Sequence, residues 1–195
     1  MKLRYLAVIG LLLAPVAVFS QSSRQGKDSA APAARPLNST DSLMVKQLFF
    51  SALHEKTMEN FPLAADLFNR VLQTDPANHS SIYELAGLKK MQKDNDAVRQ
   101  LLERAVTINP DNEWYWVSLA ECYEKANDLT RLENVFNQLI RLAPDNPEYY
   151  FDKANAYYLQ RRYDDALAVY DTLEQMTGLS DDLVAQRQKI YLKQG

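Results

Sequence analysis

Few residue groupings in this chain could do bond chemistry. It has two histidines, His54 and His79. His54-Glu55 starts like a metalloprotease helix, but the second histidine needed one helical turn later to complete a zinc pair is missing. His79 falls at a boundary between two sequence segments, where a solvated imidazole is expected. Asp94-Asn95-Asp96 starts like a calcium loop. Neither the turn glycine nor the distal glutamate follows at the required offset, so these side chains are expected to cap a helix instead. The chain has no Gly-rich phosphate loop and no nucleophile elbow. The single cysteine, Cys122, excludes an intramolecular disulfide and a cysteine metal cluster. With no histidine close in sequence to lower its pKa, it reads as a small buried thiol. The expectation is a protein with no catalytic centre, no metal and no cofactor.

What remains is a question of binding, and composition narrows it. The 195 residues are 47% hydrophobic and 24% charged, too apolar for a mostly disordered chain. The formal charge is −3, and it grows more negative without residues 1–20, which carry Lys2 and Arg4 and no acid. Such a balance gives no general affinity for nucleic acid.

Residues 1–20 place Lys2 and Arg4 before an apolar run, with Val18 and Ser20 flanking Phe19 at its end. This is the layout of a secretory signal peptide. The run from Tyr5 to Phe19 contains Pro15 and falls short of the roughly 20 residues a membrane-crossing helix needs. Export to a periplasm, a cell envelope or the exterior is expected, with membrane attachment only if this segment stays uncleaved. Residues 21–41 are rich in Pro, Ala and Ser and read as a flexible tether. Asn38-Ser39-Thr40 matches an N-glycosylation acceptor, and Asp41 or Ser42 is a candidate helix cap.

From residue 42 onward the sequence repeats. Pro76, Pro110 and Pro144 recur every 34 residues, and copies span residues 45–78, 79–112, 113–146 and 147–180, with a half copy at 181–195. Each copy holds two apolar-periodic segments about a polar turn, the pattern of two antiparallel helices. Asn60, Asp94, Asn127, Asp128 and Asp164 lie where they could cap the second helix, and Pro62 suits its first turn. Small residues recur at Ala52, Ala86, Ala120 and Ala154, and large ones at Leu48, Ile82, Trp116 and Tyr150. Tyr123, Tyr157 and Tyr191 supply an aromatic late in the first helix. Ala64/Phe68, Val98/Leu102, Leu132/Phe136 and Ala166/Tyr170 pair within the second.

On these residues the chain from 42 to 195 resembles a tetratricopeptide repeat protein, whose period is also 34 residues. The resemblance implies an all-α, right-handed superhelical solenoid of antiparallel helix pairs, with four full repeats plus one additional helix. Glu55 and Lys89 depart from it where the family favours an aromatic. Gln188 replaces the small crossing residue, and Gly178 replaces the closing proline. Either the last helix caps the array, or the sequence is the front part of a longer protein with a catalytic part further on.

In this family the first helices line a concave groove. Carried over by position, the groove residues are Phe49, Leu53, Tyr83, Met91, Trp114, Val117, Phe151, Asn155 and Tyr158, aromatics and apolar side chains suited to a partner's peptide or amphipathic helix. The Lys, Arg and Asn clamp by which some members hold a chaperone's terminal carboxylate is absent, because Phe49/Leu53, Tyr83/Gly87 and Val117/Glu121 occupy its places. The resemblance thus implies a non-catalytic protein-interaction scaffold with a protein or peptide partner. The alternative is a structural module that forms a homo-oligomer through the 181–195 end.

Overall fold

The structure is a computed structural model that describes residues 36–194. The proposed signal peptide and most of the tether lie outside them. The described residues form helices α1 (Ser39–Thr57), α2 (Phe61–Thr74), α3 (His79–Met91), α4 (Asn95–Ile108), α5 (Glu113–Lys125), α6 (Leu129–Leu142), α7 (Pro147–Leu159), α8 (Tyr163–Thr177) and α9 (Asp181–Gln194), with no strand among them. Odd-numbered helices are the first of each copy and even-numbered ones the second. Each packs chiefly on the next along the chain, so the fold is a stack of helical hairpins.

The turn inside each hairpin has one recipe. Glu59, Lys93, Asn127 and Arg161 take φ values of 59°, 60°, 53° and 59°, reversing the chain in the left-handed region. Only Asn127 is suited to that conformation; the other three bear its cost without a glycine. Asp94 and Asp128 then cap α4 and α6, accepting from Ala97 N and Arg131 N at 3.2 and 3.1 Å. Asn60 does not cap α2; its Nδ2 donates to Glu55 at 2.8 Å, and Pro62, which has no N–H to satisfy, opens that helix. Arg162, not Asp164, stands at the cap of α8.

Between copies, Asn78, Asn112 and Asn146 cap the next first helix, and the proline carbonyl before each is bonded by a long side chain. Trp116 Nε1 donates to Pro110 O at 2.7 Å, Tyr150 Oη to Pro144 O at 3.0 Å, and Arg104 to Pro76 O. Asn38 caps α1, accepting from Asp41 N at 2.7 Å. The helix therefore begins at Ser39, before Asp41 and Ser42, because Asn38 reaches the free N–H first.

The core sits where the helices cross. Ala52, Ala86, Ala120 and Ala154 are 0, 2, 7 and 0% exposed, and the second-helix pairs from Ala64/Phe68 to Ala166/Tyr170 are buried opposite them. Axes can approach to about 8 Å only where a crossing carries almost no side chain. A row of tyrosines seals the stack further. Tyr123 and Tyr157 donate their phenols to Glu103 and Glu133, each at 2.8 Å. Burial, with those carboxylates alongside, pushes both phenols up to about 12. Ser81 Oγ is fully buried and has no hydrogen-bond partner.

The last helix is held differently. α9 buries Leu183 and Ile190, and Arg187 pairs with Asp171 and with Glu174, the latter at 2.7 Å. Val184 and Tyr191, whose counterparts one copy earlier, Tyr150 and Tyr157, are half-buried and buried, are 45 and 59% exposed. Gln188, in place of a crossing alanine, is exposed as well.

Candidate functional site

The face built by the first helices carries a cavity of about 340 Å³. Its walls come from the C-terminal half of α3, the facing side of α5, the end of α1 and the N-terminal half of α4. Gly87 lies on the wall, and a Cβ placed there would meet nothing within 4 Å, so the missing side chain leaves real space. Beside it the Tyr83 ring lies 4.8 Å from that of Tyr115, and its hydroxyl is 3.2 Å from Ser118 Oγ.

Charge around the cavity is paired across neighbouring first helices. Lys56 Nζ donates to Glu84 at 2.6 Å, and Lys90 to Glu121. Lys125 lies 3.9 Å from the same Glu121. The Glu121 bond holds Lys90 above the usual lysine range, against the opposing effect of burial. These partly exposed pairs add little stability. Their effect is geometric, since they fix where cations and carboxylates stand along the opening. Arg99 bonds Asp96 and Glu103, and Asp94 is a helix cap, so the Asp94-Asn95-Asp96 run serves as a helix start. Cys122 also lines the cavity; it is half-buried, and burial pushes its thiol up, which keeps it protonated.

The nine residues carried over from the repeat pattern are dispersed along this face. Only Tyr83 lines the cavity. Trp114 and Met91 are open to solvent, 72 and 57% exposed. Val117 packs partly buried on the central cluster. Phe49 and Leu53 pack on the first hairpin, where the Phe49 ring stands edge-on to Phe68 at 5.7 Å. Phe151 packs edge-on to Tyr170 at 6.0 Å, and Tyr158 lies 5.8 Å from the Tyr163 ring. Asn155 accepts from the Tyr170 hydroxyl at 3.2 Å. His79 is half-buried rather than solvated, its Nδ1 2.9 Å from Tyr115 Oη. The next pair of copies repeats that contact as Tyr149 donating to Glu113, which shows that the opening residue of one copy abuts the following first helix.

Position-by-position reasoning missed Glu84, Ser118, Cys122, Asn95, Asp96 and Arg99. The template admits only one face of each first helix, while this cavity also takes its wall from the start of a second helix. A signal was present in Lys56, Glu84, Lys90 and Glu121, whose alternating signs fall on successive first helices.

Comparison with known proteins agrees with this architecture. Two family models described as tetratricopeptide repeat match residues 90–150 and 133–180. No curated protein matches the sequence. Among solved structures, YrrB, titled a TPR protein with an unusual peptide-binding site, superposes with a TM-score of 0.62 at 11% identity over 79% of this chain and 83% of its own. MamA gives a TM-score of 0.59 at 14% identity, over 77% of this chain and 87% of its own. PilF of Pseudomonas aeruginosa gives 0.53 at 19% identity, over 76 and 72%. At such identities the likeness is one of fold.

Proposed function

Starting from a chain whose residues 90–180 are tetratricopeptide repeats, and whose helices form that array throughout, we propose a non-catalytic scaffold that binds a peptide or helix of a partner protein along its first-helix groove. The observation that carries this is the cavity beside Gly87 and Tyr83, open space walled by an aromatic ring and by fixed charges of both signs. Extended segments suit such a wall, since a side chain can enter while backbone polar groups meet the flanking Lys and Glu heads. YrrB, an array of the same fold, has a peptide-binding site by its own description, which supports the reading. The N-terminal segment further suggests export, to the periplasm or cell envelope.

Gly87→Phe tests the groove directly. The ring would fill the cavity from a point with no neighbour within 4 Å, so the melting temperature should stay close to the parent's. Partners cross-linked through a photoreactive residue at Met91 should be lost from Gly87→Phe and from the Tyr83→Ala/Trp114→Ala pair. Unchanged capture in both would remove the groove from consideration. The mass of the mature protein, with or without residues 1–20, decides export processing.

A second reading has an observation of its own. Val184 and Tyr191 of α9 are exposed where earlier copies are buried or half-buried, and Leu192 lies open beside them, which suits self-association through residues 181–195. Light scattering across a concentration series separates the two, since a mass that stays monomeric excludes this one.

A further inference from the structure

α3 has a second face. Leu85, Leu88, Lys89 and Gln92 are spaced three and four apart, on the opposite side from Tyr83, Gly87 and Lys90, and they floor a cleft between α2 and α4 of about 400 Å³. The same cleft recurs one copy later between α4 and α6, where its volume is about 270 Å³. The difference has named causes. In the later cleft Tyr123 rises from the floor, its phenol donates to Glu103 at 2.8 Å, and the Arg131 guanidinium lies 5.9 Å from its ring centre. One period earlier the same three places hold Lys89, Asn69 and Ala97. Lys89 does not replace the ring; it stays at the cleft wall, its ammonium donating to Gln92 at 3.2 Å.

The apolar part of the wall is Leu85 and Leu88, both buried, the half-buried Leu101, and Ala65 and Ala97, with the Asn69, Gln92 and Gln100 amides beside them. The ionisable residues lining the cleft are Lys89 and Arg104, both cationic, and no carboxylate faces them from α2, α3 or α4 within the lining. Arg104 donates to Pro76 O, an uncharged acceptor, so its charge is not neutralised there.

We propose that the α2/α4 cleft is a docking socket for an aromatic side chain of a partner protein, carried on a segment whose neighbouring residues are acidic. The chain itself supplies the template, since one copy further on a tyrosine takes the equivalent space. Asn69 stands where Glu103 receives that phenol and offers an amide oxygen in its stead. Lys89 and Arg104 select the flanking charge, because an acidic segment is attracted to this rim and a basic one repelled. A rigid aromatic anchor buries much area for little lost rotamer freedom, so one such side chain can dominate a small interface. The socket lies on the opposite side of α3 from the first-helix groove, and neither proposal rests on the other.

The test uses the full chain and two blocked tripeptides, Glu-Tyr-Glu and Lys-Tyr-Lys, followed by NMR of the Leu85, Leu88 and Leu101 methyl groups. The acidic peptide should shift these methyls saturably, and the basic one should bind at least about tenfold more weakly. Lys89→Tyr/Ala97→Arg rebuilds the filled arrangement and should abolish the shifts while melting no lower than the parent. Lys89→Glu, a surface charge reversal that leaves the walls intact, should weaken the acidic peptide by about tenfold. Absent shifts, equal affinity for the two peptides, shifts confined to the Tyr83 and Lys90 side, or full binding by either variant would each overturn the proposal.

Discussion

The hairpins at the middle of the array and the helix at its end are made from similar residues but held by different means. α5 and α6 bury Leu119, Tyr123, Leu132, Val135, Phe136 and Leu139 between neighbours on both sides. Among the described residues α9 packs on α8, and it buries Leu183 and Ile190 with Arg187 as a strap. The lesson is that a repeat's stability belongs to its interfaces more than to its own sequence. α9 has apolar residues enough, but Val184, Tyr191 and Leu192 stay exposed among the described residues.

The sharpest way to break this comparison is to remove a central side chain. Phe136→Ala should cost about 3–5 kcal/mol in urea denaturation, since the ring is 2% exposed and enclosed by helices on both sides. A cost below that of Ile190→Ala would contradict the ranking. Next in size is Ala120→Leu, which inserts bulk at a crossing point and should lose about 1–3 kcal/mol; an unchanged denaturation midpoint would mean the crossing is not there.

Alkaline pH sharpens the contrast from another side. Unfolded phenols ionise near 10, whereas Tyr123 and Tyr157 hold their protons to about 12. Between these values the unfolded chain has lost protons that the folded chain keeps, so stability is full below pH 10 and falls as pH rises toward 12. Tyr123→Phe should lessen that fall in a pH series of melting curves. Smaller still is Arg187→Ala, expected to cost no more than about 1 kcal/mol overall, because Asp171 is largely and Glu174 partly open to solvent. Its mark should be faster amide exchange confined to α9. Ser81→Ala should be neutral or slightly stabilising, since it removes a buried hydroxyl that has no partner.

Much of this fold was readable before any coordinates. The alanines at 52, 86, 120 and 154 and their second-helix partners carry a 34-residue rhythm, and tight crossings explain why only small side chains serve there. The caps were less legible. Asn38, Asp41 and Ser42 are all competent to start α1, and only the chain's path shows that Asn38 is used. Asn60 looked like a cap and instead bonds Glu55, although the backbone around it matches that of Asp94 and Asp128, which do cap. The groove was legible as a face but not as a cavity. Its depth comes from Gly87 and from Asn95 and Asp96 on a different helix, a meeting that periodicity along one helix does not encode. Lys89 in an aromatic's place was visible in the sequence. That its departure opens a cleft, rather than being filled by a neighbour, depended on Ala97 and Asn69 lying alongside.

Because each helix leans mainly on the one that follows it, nearly every contact that matters joins stretches of chain close in sequence. Such a molecule should assemble rapidly from several starting points, with little entropy lost in closing long loops. Pulled along its length, it should yield as a series of small steps rather than one rupture.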